Sequence, residues 1–349
     1  MTREGDPGFR VALAGTDDSF VVAPGESVLD AARRAGYWLP FECGWGSCAR
    51  CKATLVEGEL EYLFAQAPAI DERDQRRKRF LLCQTTPLSD CVVKPLRIDD
   101  QPPAERPVVD LAATLVRIEE IGPDIREFTF TLAAANGEAV EADFRPGQYA
   151  TLEIADGLRR CYSMSSLPGA NEISFIVKRY EGRPGSTAMF ALEPGAVLGM
   201  QLPYGDMWLR DLDRPAILIA GGTGISAILS MVRSIVGDPA WADRHVHVLY
   251  GAATRSELVC WEELEAITEA AHRQYLHGAL VQADESWAGG EGLVTHTLTA
   301  LLSSALSADH DLLGAEVYLA GPPPMVRAVQ EVLNENGIQL DRIHVDSFG

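Results

Sequence analysis

Four cysteines in the first hundred residues are spaced in a way that can hold iron. Cys43, Cys48 and Cys51 form a C-x4-C-x2-C pattern, and Cys83 follows a charged stretch. Two irons and two bridging sulfides need four thiolates, and this is a ligand spacing used for [2Fe–2S] clusters. Glycines inside the loop allow its backbone to curl, so that its amides can point at the cluster sulfurs. The pattern therefore predicts that these four cysteines are the ligands of a [2Fe–2S] cluster.

A Rieske centre, a zinc site and a purely structural role fit these cysteines less well. A Rieske centre uses two histidine ligands, but all seven histidines lie at or after position 245. Structural zinc sites usually contain paired cysteine knuckles, and only Cys48 and Cys51 form a close pair. Four ordinary core cysteines are improbable, since three of them fall within nine residues beside glycines. Cys91, Cys161 and Cys260 lie outside the pattern and are predicted to be structural.

Two further parts of the chain carry residue types suited to a nucleotide. Residues 159–166 (RRCYSMSS) offer an arginine fork, an aromatic face and small hydroxyls. Residues 221–224 (GGTG) lie between a buried-strand pattern and a helix, where backbone amides can approach a pyrophosphate. Residues 319–325 (LAGPPPM) follow another strand pattern. Taken singly, each motif is also compatible with an ordinary strand or a packing turn.

Together these motifs resemble a known three-module family. Residues 8–98 are similar to a plant-type ferredoxin, and the rest resembles the ferredoxin–NADP reductase superfamily. The module order resembles the reductase components of bacterial multicomponent oxygenases, such as those of phenol hydroxylase, xylene monooxygenase and naphthalene dioxygenase. The resemblance implies an α+β β-grasp [2Fe–2S] ferredoxin, then an all-β flavin-binding barrel, then an α/β doubly wound nicotinamide-binding domain.

The resemblance assigns a flavin site to residues 159–166, which match the signature R-x-Y-S-x-x-S. It implies that Arg160 contacts the flavin pyrophosphate, for which its fork of donors is suited. Tyr162 would lie on the isoalloxazine, and Ser163 would lie near the flavin N5, where the hydride arrives. The expected flavin is FAD, because the related FMN proteins carry their ferredoxin at the C-terminus.

Further flavin contacts are expected downstream of this signature. Gly185, Ser186 and Thr187 are predicted to begin a helix whose amides and hydroxyls form an anion site for the pyrophosphate. Lys178, on the preceding strand, is expected to contact the flavin through its backbone.

The nicotinamide site is expected at the two remaining motifs. The first supplies Gly221, Gly222, Thr223 and Gly224. The second resembles the family motif C-G-P-P-P-M and supplies Ala320, Gly321 and Pro322. Ala320 departs from the family, which usually has cysteine there. This change puts in doubt a thiol that aligns hydride transfer, while the transfer itself belongs to the cofactors.

The segment HVDSFG at residues 344–349 resembles the family's acidic-x-aromatic ending. By this match Asp346 would lie near the hydride path, and Phe348 would cover the flavin until the nicotinamide displaces it. A final strand that packs Phe348 into the core is the alternative. NADH is expected rather than NADPH, since Arg255 stands alone beside Glu257 after the second strand and the oxygenase reductases mostly use NADH.

Local patterns predict the elements that position these residues. Residues 9–15 and 19–23 form a hairpin, and Ser27 caps a helix that runs to about Ala35. A cysteine loop, a strand, a charged and mostly solvated run, and a closing strand follow at residues 40–51, 52–64, 71–79 and 91–95. In the last part of the chain, strands at 216–220, 245–250, 276–281 and 316–320 alternate with helices at 225–235, 262–272, 294–302 and 325–336.

These elements group into three domains. The ferredoxin domain is assigned to residues 1–98, and the polar, proline-rich segment 99–107 is the linker. Residues 108–207 contain short strands separated by Pro-Gly turns and are assigned to the FAD-binding barrel. Residues 208–349 alternate strands and helices and are assigned to the NAD-binding domain.

Charge and composition narrow the function. The 349 residues carry a formal net charge of −20 and are 47% hydrophobic. Such acidity argues against a partner made of nucleic acid or anionic lipid. The negative charge is uneven, because residues 1–98 carry 13 basic and 14 acidic side chains while the rest carries 17 and 36. Residues 215–232 lack charge, but their glycines favour a strand, a turn and a helix over a membrane span.

The resemblance implies an NADH-dependent oxidoreductase. Electrons would pass from NADH through FAD and the [2Fe–2S] cluster to a terminal oxygenase, either di-iron or Rieske, that docks on the ferredoxin domain near Trp45 and Arg50. We expect a cytoplasmic protein, since the N-terminal residues lack the pattern of a signal peptide. A reductase of the same architecture that serves a deoxysugar dehydrase is the nearest alternative. A non-catalytic zinc protein is a remote one.

Overall fold

The computed structural model describes residues 8–41, 46, 49–63, 70–96, 108–155, 158–210, 213–236, 238–271, 273–305 and 312–347. The chain divides into two compact units. One comprises Met1–Pro107 and Ala155–Cys161, and the other comprises Val108–Ile154 and Tyr162–Gly349. The predicted linker at 99–107 lies outside the described residues.

The first unit is a mixed β-sheet with a helix on one side. Its elements are β1 (Phe9–Leu13), β2 (Ser19–Val22), α1 (Val28–Arg34), β3 (Lys52–Glu57), β4 (Leu60–Tyr62), α2 (Glu72–Arg76), β5 (Arg79–Leu81), β6 (Thr85–Pro87) and β7 (Cys91–Pro95). The main sheet has the order β2-β1-β7-β3-β5, and β4 pairs with β6 separately. Strand β1 is antiparallel to β2 and parallel to β7, and α1 contributes apolar residues to the same core. This arrangement confirms the predicted β-grasp fold.

Local chemistry explains the limits of these elements. The Ser27 hydroxyl accepts a hydrogen bond from the Asp30 amide at 3.0 Å, which caps α1 as predicted. The strand character predicted for residues 52–64 is found in two strands, because the chain turns at Gly58. Gly58 has a φ of +94°, and a Cβ there would lie 2.4 Å from the Asp90 carbonyl oxygen. Only glycine is compatible with this turn and this close approach.

The charged run at 71–79 is mostly exposed, as predicted, with one buried exception. Asp74 lies within α2, yet only 7% of its side chain is exposed. It accepts hydrogen bonds from Lys52 at 2.5 Å and from Arg79 at 3.1 Å. The bond from Lys52, followed by that from Arg79, lowers the pKa of Asp74 below its usual range. Asp74 therefore ties α2 to strands β3 and β5.

The middle of the chain is dominated by antiparallel strands. Its elements are β8 (Val109–Gly122), β9 (Ile125–Ala133), β10 (Tyr149–Ala155), β11 (Leu158–Ser163), β12 (Glu172–Lys178), α3 (Pro184–Phe190) and β13 (Val197–Tyr204). They form one sheet in the order β11-β10-β13-β8-β9-β12. Alternate residues of these strands supply a core rich in phenylalanine and methionine. The predicted all-β fold of this region is confirmed.

The last part of the chain is a parallel sheet covered by helices. Its elements are β14 (Ala216–Gly221), α4 (Ile225–Ile235), β15 (Val246–Ala252), α5 (Trp261–Ala270), β16 (Gln274–Leu280), β17 (Gly290–Glu291), α6 (Val294–Ala305), β18 (Glu316–Gly321), α7 (Pro323–Glu335) and β19 (Ile343–Ser347). The order is β17-β16-β15-β14-β18-β19, and neighbouring strands run parallel. The predicted strands and helices match to within three residues at each end.

This strand order places a switch point between β14 and β18. From β14 the chain proceeds outward through β15 and β16, and then returns to β18 on the other side. In open α/β sheets, ligands bind outside the carboxyl ends of the strands at such a point. The uncharged stretch 215–232 forms β14, a short turn and α4, and none of the helices in the described ranges has the length and apolarity that crossing a membrane requires.

Candidate functional site

Ser163 and Asp346 meet at the centre of the second unit. Ser163 is the last residue of β11, and Asp346 lies in β19. The Ser163 hydroxyl donates a short hydrogen bond to Oδ2 of Asp346. The two residues are 183 positions apart in sequence, so only the tertiary fold brings them together. The structure thus unites the two predicted catalytic residues.

Strand register brings the nicotinamide motifs to the same edge. Across three neighbouring parallel strands, Ala220 pairs with Ala320, and Ala320 pairs with Asp346. Gly321 and Pro322 follow directly and therefore lie at the carboxyl end of β18. Ala320 itself is fully buried among core residues. The glycine turn, the second nicotinamide motif and Asp346 therefore surround the switch point.

The glycine turn is tightly packed at Gly221 and Gly224 and open at Gly222. A Cβ on Gly224 would lie 2.2 Å from the Ala320 carbonyl oxygen, and one on Gly221 would lie 2.1 Å from the Met325 sulfur. Gly222, in contrast, has a φ of +54°, and no heavy atom of the described residues lies within 4 Å of the place for its Cβ. Larger residues at 221 and 224 would displace the turn, while the backbone at 222 can meet a ligand directly. This geometry fits a nucleotide pyrophosphate.

The strands that carry Ser163 and Asp346 are unusual in their exposure. All six residues of β11 and all five of β19 are half-buried, whereas the first four residues of β10 are fully buried. Strands on a core usually alternate between buried and exposed residues, or are buried on both faces. Both strands lie at the edge of their sheets, so each has a neighbouring strand on one side only. Tyr162 packs its partly buried ring against the barrel core, and Arg160 is half-buried on the same strand. These features fit a bound flavin.

The remaining predicted flavin residues are engaged by the protein itself. Lys178, at the end of β12, binds Glu257 with a distance of 2.6 Å between Nζ and Oε1. The Ser186 hydroxyl accepts from the Tyr180 amide at 3.1 Å, and the Thr187 hydroxyl donates to the Arg183 carbonyl at 2.9 Å. Gly185 lies buried in the first turn of α3. The backbone amides of this turn, rather than the two hydroxyls, are therefore the groups suited to an anion.

Helix α4 carries a set of contacts that the sequence analysis missed. The side chains of Ser226, Ser230 and Arg233 donate hydrogen bonds to backbone carbonyls of the flavin-signature segment 163–166. The signal in the sequence was present but weak. These three polar residues recur at i, i+4 and i+7 in a helix that is otherwise mostly apolar, so they share one face.

The guanidinium of Arg255 lies against two tryptophan rings. It lies 5.3 Å from the ring centroid of Trp261 and 5.2 Å from that of Trp287, distances typical of cation–π contacts. Glu262 lies 3.9 Å away. Arg255, Trp261 and Trp287 line part of a cavity of about 610 Å³ beside β16.

Two of the four predicted cluster ligands lie within the described residues. Cys51 and Cys83 are both buried, and their sulfur atoms are 3.3 Å apart. This separation exceeds an S–S bond of about 2.05 Å and is compatible with two thiolates on one iron. The backbone beside them is tightly curled, since Gly46 has a φ of +101° and Ala49 a φ of +61°.

These features fit the cysteine ligands of a [2Fe–2S] cluster. Cys43, Cys48, Trp45 and Phe348 lie outside the described residues. Among the residues that are described, no group of three or more His, Cys, Asp or Glu side chains could hold a metal ion.

The cysteines outside the pattern differ from the cluster pair. Cys91 is buried in the core of the first unit, and its thiol contacts the Ser89 carbonyl at 3.1 Å. Burial, reinforced by nearby Glu127 and Glu263, raises the pKa of Cys260 to about 12. The Cys260 thiol therefore stays protonated and unreactive at neutral pH.

Comparison with known proteins agrees with this arrangement. Three family models match in order: the 2Fe-2S iron–sulfur cluster binding domain at residues 11–88, the oxidoreductase FAD-binding domain at 112–208 and the oxidoreductase NAD-binding domain at 218–331. The anthranilate 1,2-dioxygenase electron transfer component of Acinetobacter baylyi is 32% identical, with 93% of this chain and 91% of that protein covered.

A second relative is the ferredoxin–NAD(+) reductase component of the alkene monooxygenase system of Xanthobacter autotrophicus. It is also 32% identical, over 95% of this chain and 98% of that protein. Among solved structures, the ferredoxin reductase in carbazole 1,9a-dioxygenase superposes with a TM-score of 0.84 at 28% identity, covering 98% of each chain.

Proposed function

The chain belongs to the family of reductase components of multicomponent oxygenases, and we propose that it passes electrons from NADH through FAD and a [2Fe–2S] cluster to a terminal oxygenase docked on its ferredoxin module. The observation that carries this proposal is the convergence of Ser163, Asp346 and the glycine turn at the switch point. Three motifs from distant parts of the chain come together there, at the place where such sheets bind nucleotides.

The residues around this switch point have different expected roles. Bound FAD would supply the chemistry that accepts a hydride from NADH and releases electrons singly to the cluster. Arg160 would bind the flavin pyrophosphate, and Tyr162 would lie along the ring system. The Ser163 hydroxyl donates a hydrogen bond to Asp346 and so orients this carboxylate beside the expected hydride path. The open backbone at Gly222 would receive the pyrophosphate of NADH.

The modules follow the sequence patterns. The ferredoxin module comprises residues 1–98, the linker 99–107, the FAD-binding barrel 108–207 and the NAD-binding domain 208–349. Cys43, Cys48, Cys51 and Cys83 hold the cluster. NADH is the donor because Arg255 is the single basic residue of the segment 251–258, whereas a 2′-phosphate calls for a stronger cationic site after the second strand of this domain. The protein works in the cytoplasm, where cluster thiolates stay reduced.

An anaerobic titration of the purified holoprotein with NADH tests the electron path. We expect one flavin and two irons per chain, bleaching of the flavin band, and the appearance of the electron paramagnetic resonance signal of a reduced [2Fe–2S] cluster. NADPH should be a much poorer donor. A protein that contains zinc and no flavin would contradict the proposal.

Docking of the oxygenase on the ferredoxin module needs a separate experiment. Arg50 is exposed and lies in the sequence between two of the cluster ligands. Arg50→Glu should slow reduction of an added oxygenase and leave NADH-driven reduction of the cluster intact. Arg76→Glu is the matched control, because Arg76 is 73% exposed on α2 of the same unit. Equal effects of the two substitutions would contradict docking beside the cluster loop.

A further inference from the structure

Three polar side chains on one face of α4 hold the backbone of the flavin-signature segment. Ser226 Oγ donates to the Ser163 carbonyl at 2.6 Å, and Ser230 Oγ donates to the Ser166 carbonyl at 2.7 Å. Arg233 Nη1 donates to the Ser165 carbonyl at 2.8 Å. The two serines are 2% and 0% exposed, so water cannot replace these bonds. A helix of the nicotinamide fold thus fixes the strand end on which the flavin site depends.

The Ser226 hydroxyl makes two hydrogen bonds, to two different strands. Besides donating to Ser163, it accepts a hydrogen bond from the Ile176 amide at 3.3 Å. Ile176 lies in β12, so a single hydroxyl joins the end of β11 to a second barrel strand. Because the carbonyl of Ser163 is held, the orientation of its side chain toward Asp346 is held as well.

Ser226 is also linked rigidly to the nucleotide turn. It is the second residue of α4, immediately after the glycine turn at 221–224. Gly221 and Gly224 leave no room between this turn and the residues of the second nicotinamide motif. A displacement of the turn would therefore move Ser226, and through it Ser163.

We propose that Ser226 is a positioning residue for hydride transfer, which holds the Ser163 hydroxyl and the flavin strand at a fixed distance from the nicotinamide turn. This inference rests on the proposed function. Hydride transfer needs its reacting atoms at about 3–3.5 Å, and a misplacement of about 1 Å can cost about 100-fold in rate. Ser226 itself touches neither reacting group, because its hydroxyl is used by the two backbone bonds.

Ser230 provides a matched control. It lies one turn along the same helix face, is equally buried, and donates the same kind of bond to the same segment. Its partner is the carbonyl of Ser166, three residues beyond the serine that contacts Asp346. Loss of the Ser230 hydroxyl removes a buried hydrogen bond of similar strength without releasing Ser163.

The test compares Ser226→Ala with Ser230→Ala in the FAD-loaded full chain. Both should bind FAD, and both should lower the melting temperature by a few degrees. The loss should be larger in Ser226→Ala, because its hydroxyl makes two buried hydrogen bonds and that of Ser230 makes one. Only Ser226→Ala should slow single-turnover flavin reduction by NADH, by about tenfold or more, with the Kd for NADH unchanged. The visible circular dichroism of the bound flavin should change in Ser226→Ala alone. Hydrogen exchange at the Ile176 amide should also rise in that variant alone.

The outcomes separate this inference from the proposed function. If wild-type flavin is not reduced by NADH, the proposed function fails and this inference fails with it. If the wild type is reduced, equal slowing in both variants, or no slowing in either, overturns the positioning role and leaves the proposed function standing.

Discussion

The two units of this chain build their sites in opposite ways. In the first unit, Cys51 and Cys83 lie buried in a small core, with their sulfur atoms 3.3 Å apart. In the second unit, Ser163 and Asp346 lie on strands that are half-buried along their whole length. A cluster passes electrons without leaving its site, whereas a nicotinamide must enter and leave on each turnover. Both strands of the second site are sheet edges, so this site lies where the sheets are less covered.

Removal of one cluster ligand should have the largest effect, because it should abolish the function of the cluster and leave flavin reduction intact. Cys83→Ser replaces a thiolate by a poor iron ligand, so the chain should lose its iron and all transfer to an oxygenase. Flavin reduction by NADH should continue, since it depends on the second unit. Iron content and stopped-flow absorbance measure the two effects. Cys91→Ser, which removes a buried thiol outside the pattern, should retain the iron. Loss of flavin reduction in Cys83→Ser would show that the sites are not independent.

The contact between Ser163 and Asp346 should have the next largest effect. Ser163→Ala and Asp346→Asn should each slow flavin reduction by about tenfold to 100-fold without altering the cluster. Ser163→Ala removes the donor of this hydrogen bond, and Asp346→Asn removes the charge of its acceptor. Because both act on the same contact, the double variant should be little slower than either single variant. Single-turnover kinetics with all three variants measures this coupling. Effects that simply multiply would indicate that the two residues act separately.

A smaller effect is expected from a substitution at Gly224, in the glycine turn of the second unit. Gly224 has a φ of −58°, which alanine tolerates, but its Cβ would lie 2.2 Å from the Ala320 carbonyl oxygen. Gly224→Ala should therefore destabilise the second unit by about 1–3 kcal/mol and raise the KM for NADH several-fold. Gly199→Ala is the control, because its Cβ would meet its nearest neighbour at 3.7 Å. Thermal unfolding followed by flavin fluorescence, together with steady-state kinetics, tests both variants. An unchanged KM in Gly224→Ala would mean that the turn can shift without cost.

The smallest expected effect concerns Asp74, in the first unit. Because its hydrogen bonds lower the folded-state pKa of Asp74 below the unfolded value of about 3.9, its stabilising contribution is present above about pH 4. It is lost as the pH falls through the folded-state pKa. Asp74→Asn should lower the unfolding temperature of the first unit by a few degrees at pH 7, and the gap to wild type should narrow toward pH 3.

Cluster absorbance during heating of the full chain reports on this unit. Glu72→Gln is the matched control, because its carboxylate is 91% exposed in the same helix and its partner Arg76 is 3.8 Å away. Its effect should be close to zero. A gap between Asp74→Asn and wild type that stays constant down to pH 3 would contradict the role of the ionised carboxylate.

Local spacing and periodicity predicted much of this molecule. The limits of α4 matched the predicted ones, and the Ser27 cap of α1 was found as expected, because both depend on residues close in sequence. Gly58 shows where such patterns fail. The strand pattern around it continued, but the approach of Asp90 from a distant part of the chain required a turn.

The candidate site was predictable only in part. Resemblance to a known family pointed to Ser163 and Asp346, and the fold brings them into contact. The ion pair between Lys178 and Glu257 and the buried pairing of Asp74 join residues from different elements. Long-range pairs of this kind leave no periodic signal in one sequence, so a structure was needed to find them. The polar face of α4 is an intermediate case, since its spacing was visible but its partners were not.

The register of the three strands β14, β18 and β19 also limits which length changes the chain can tolerate. Neighbouring strands lie about 4.8 Å apart, so Ala220 and Asp346 are held about two strand spacings apart across Ala320. An insertion at residues 339–341, which are exposed before β19, can be absorbed at the surface. A single residue inserted within β19 ahead of Asp346 would advance the strand by about 3.3 Å and turn the carboxylate to the opposite face of the sheet. Libraries of insertions should therefore retain activity at residues 339–341 and lose it abruptly within the strand.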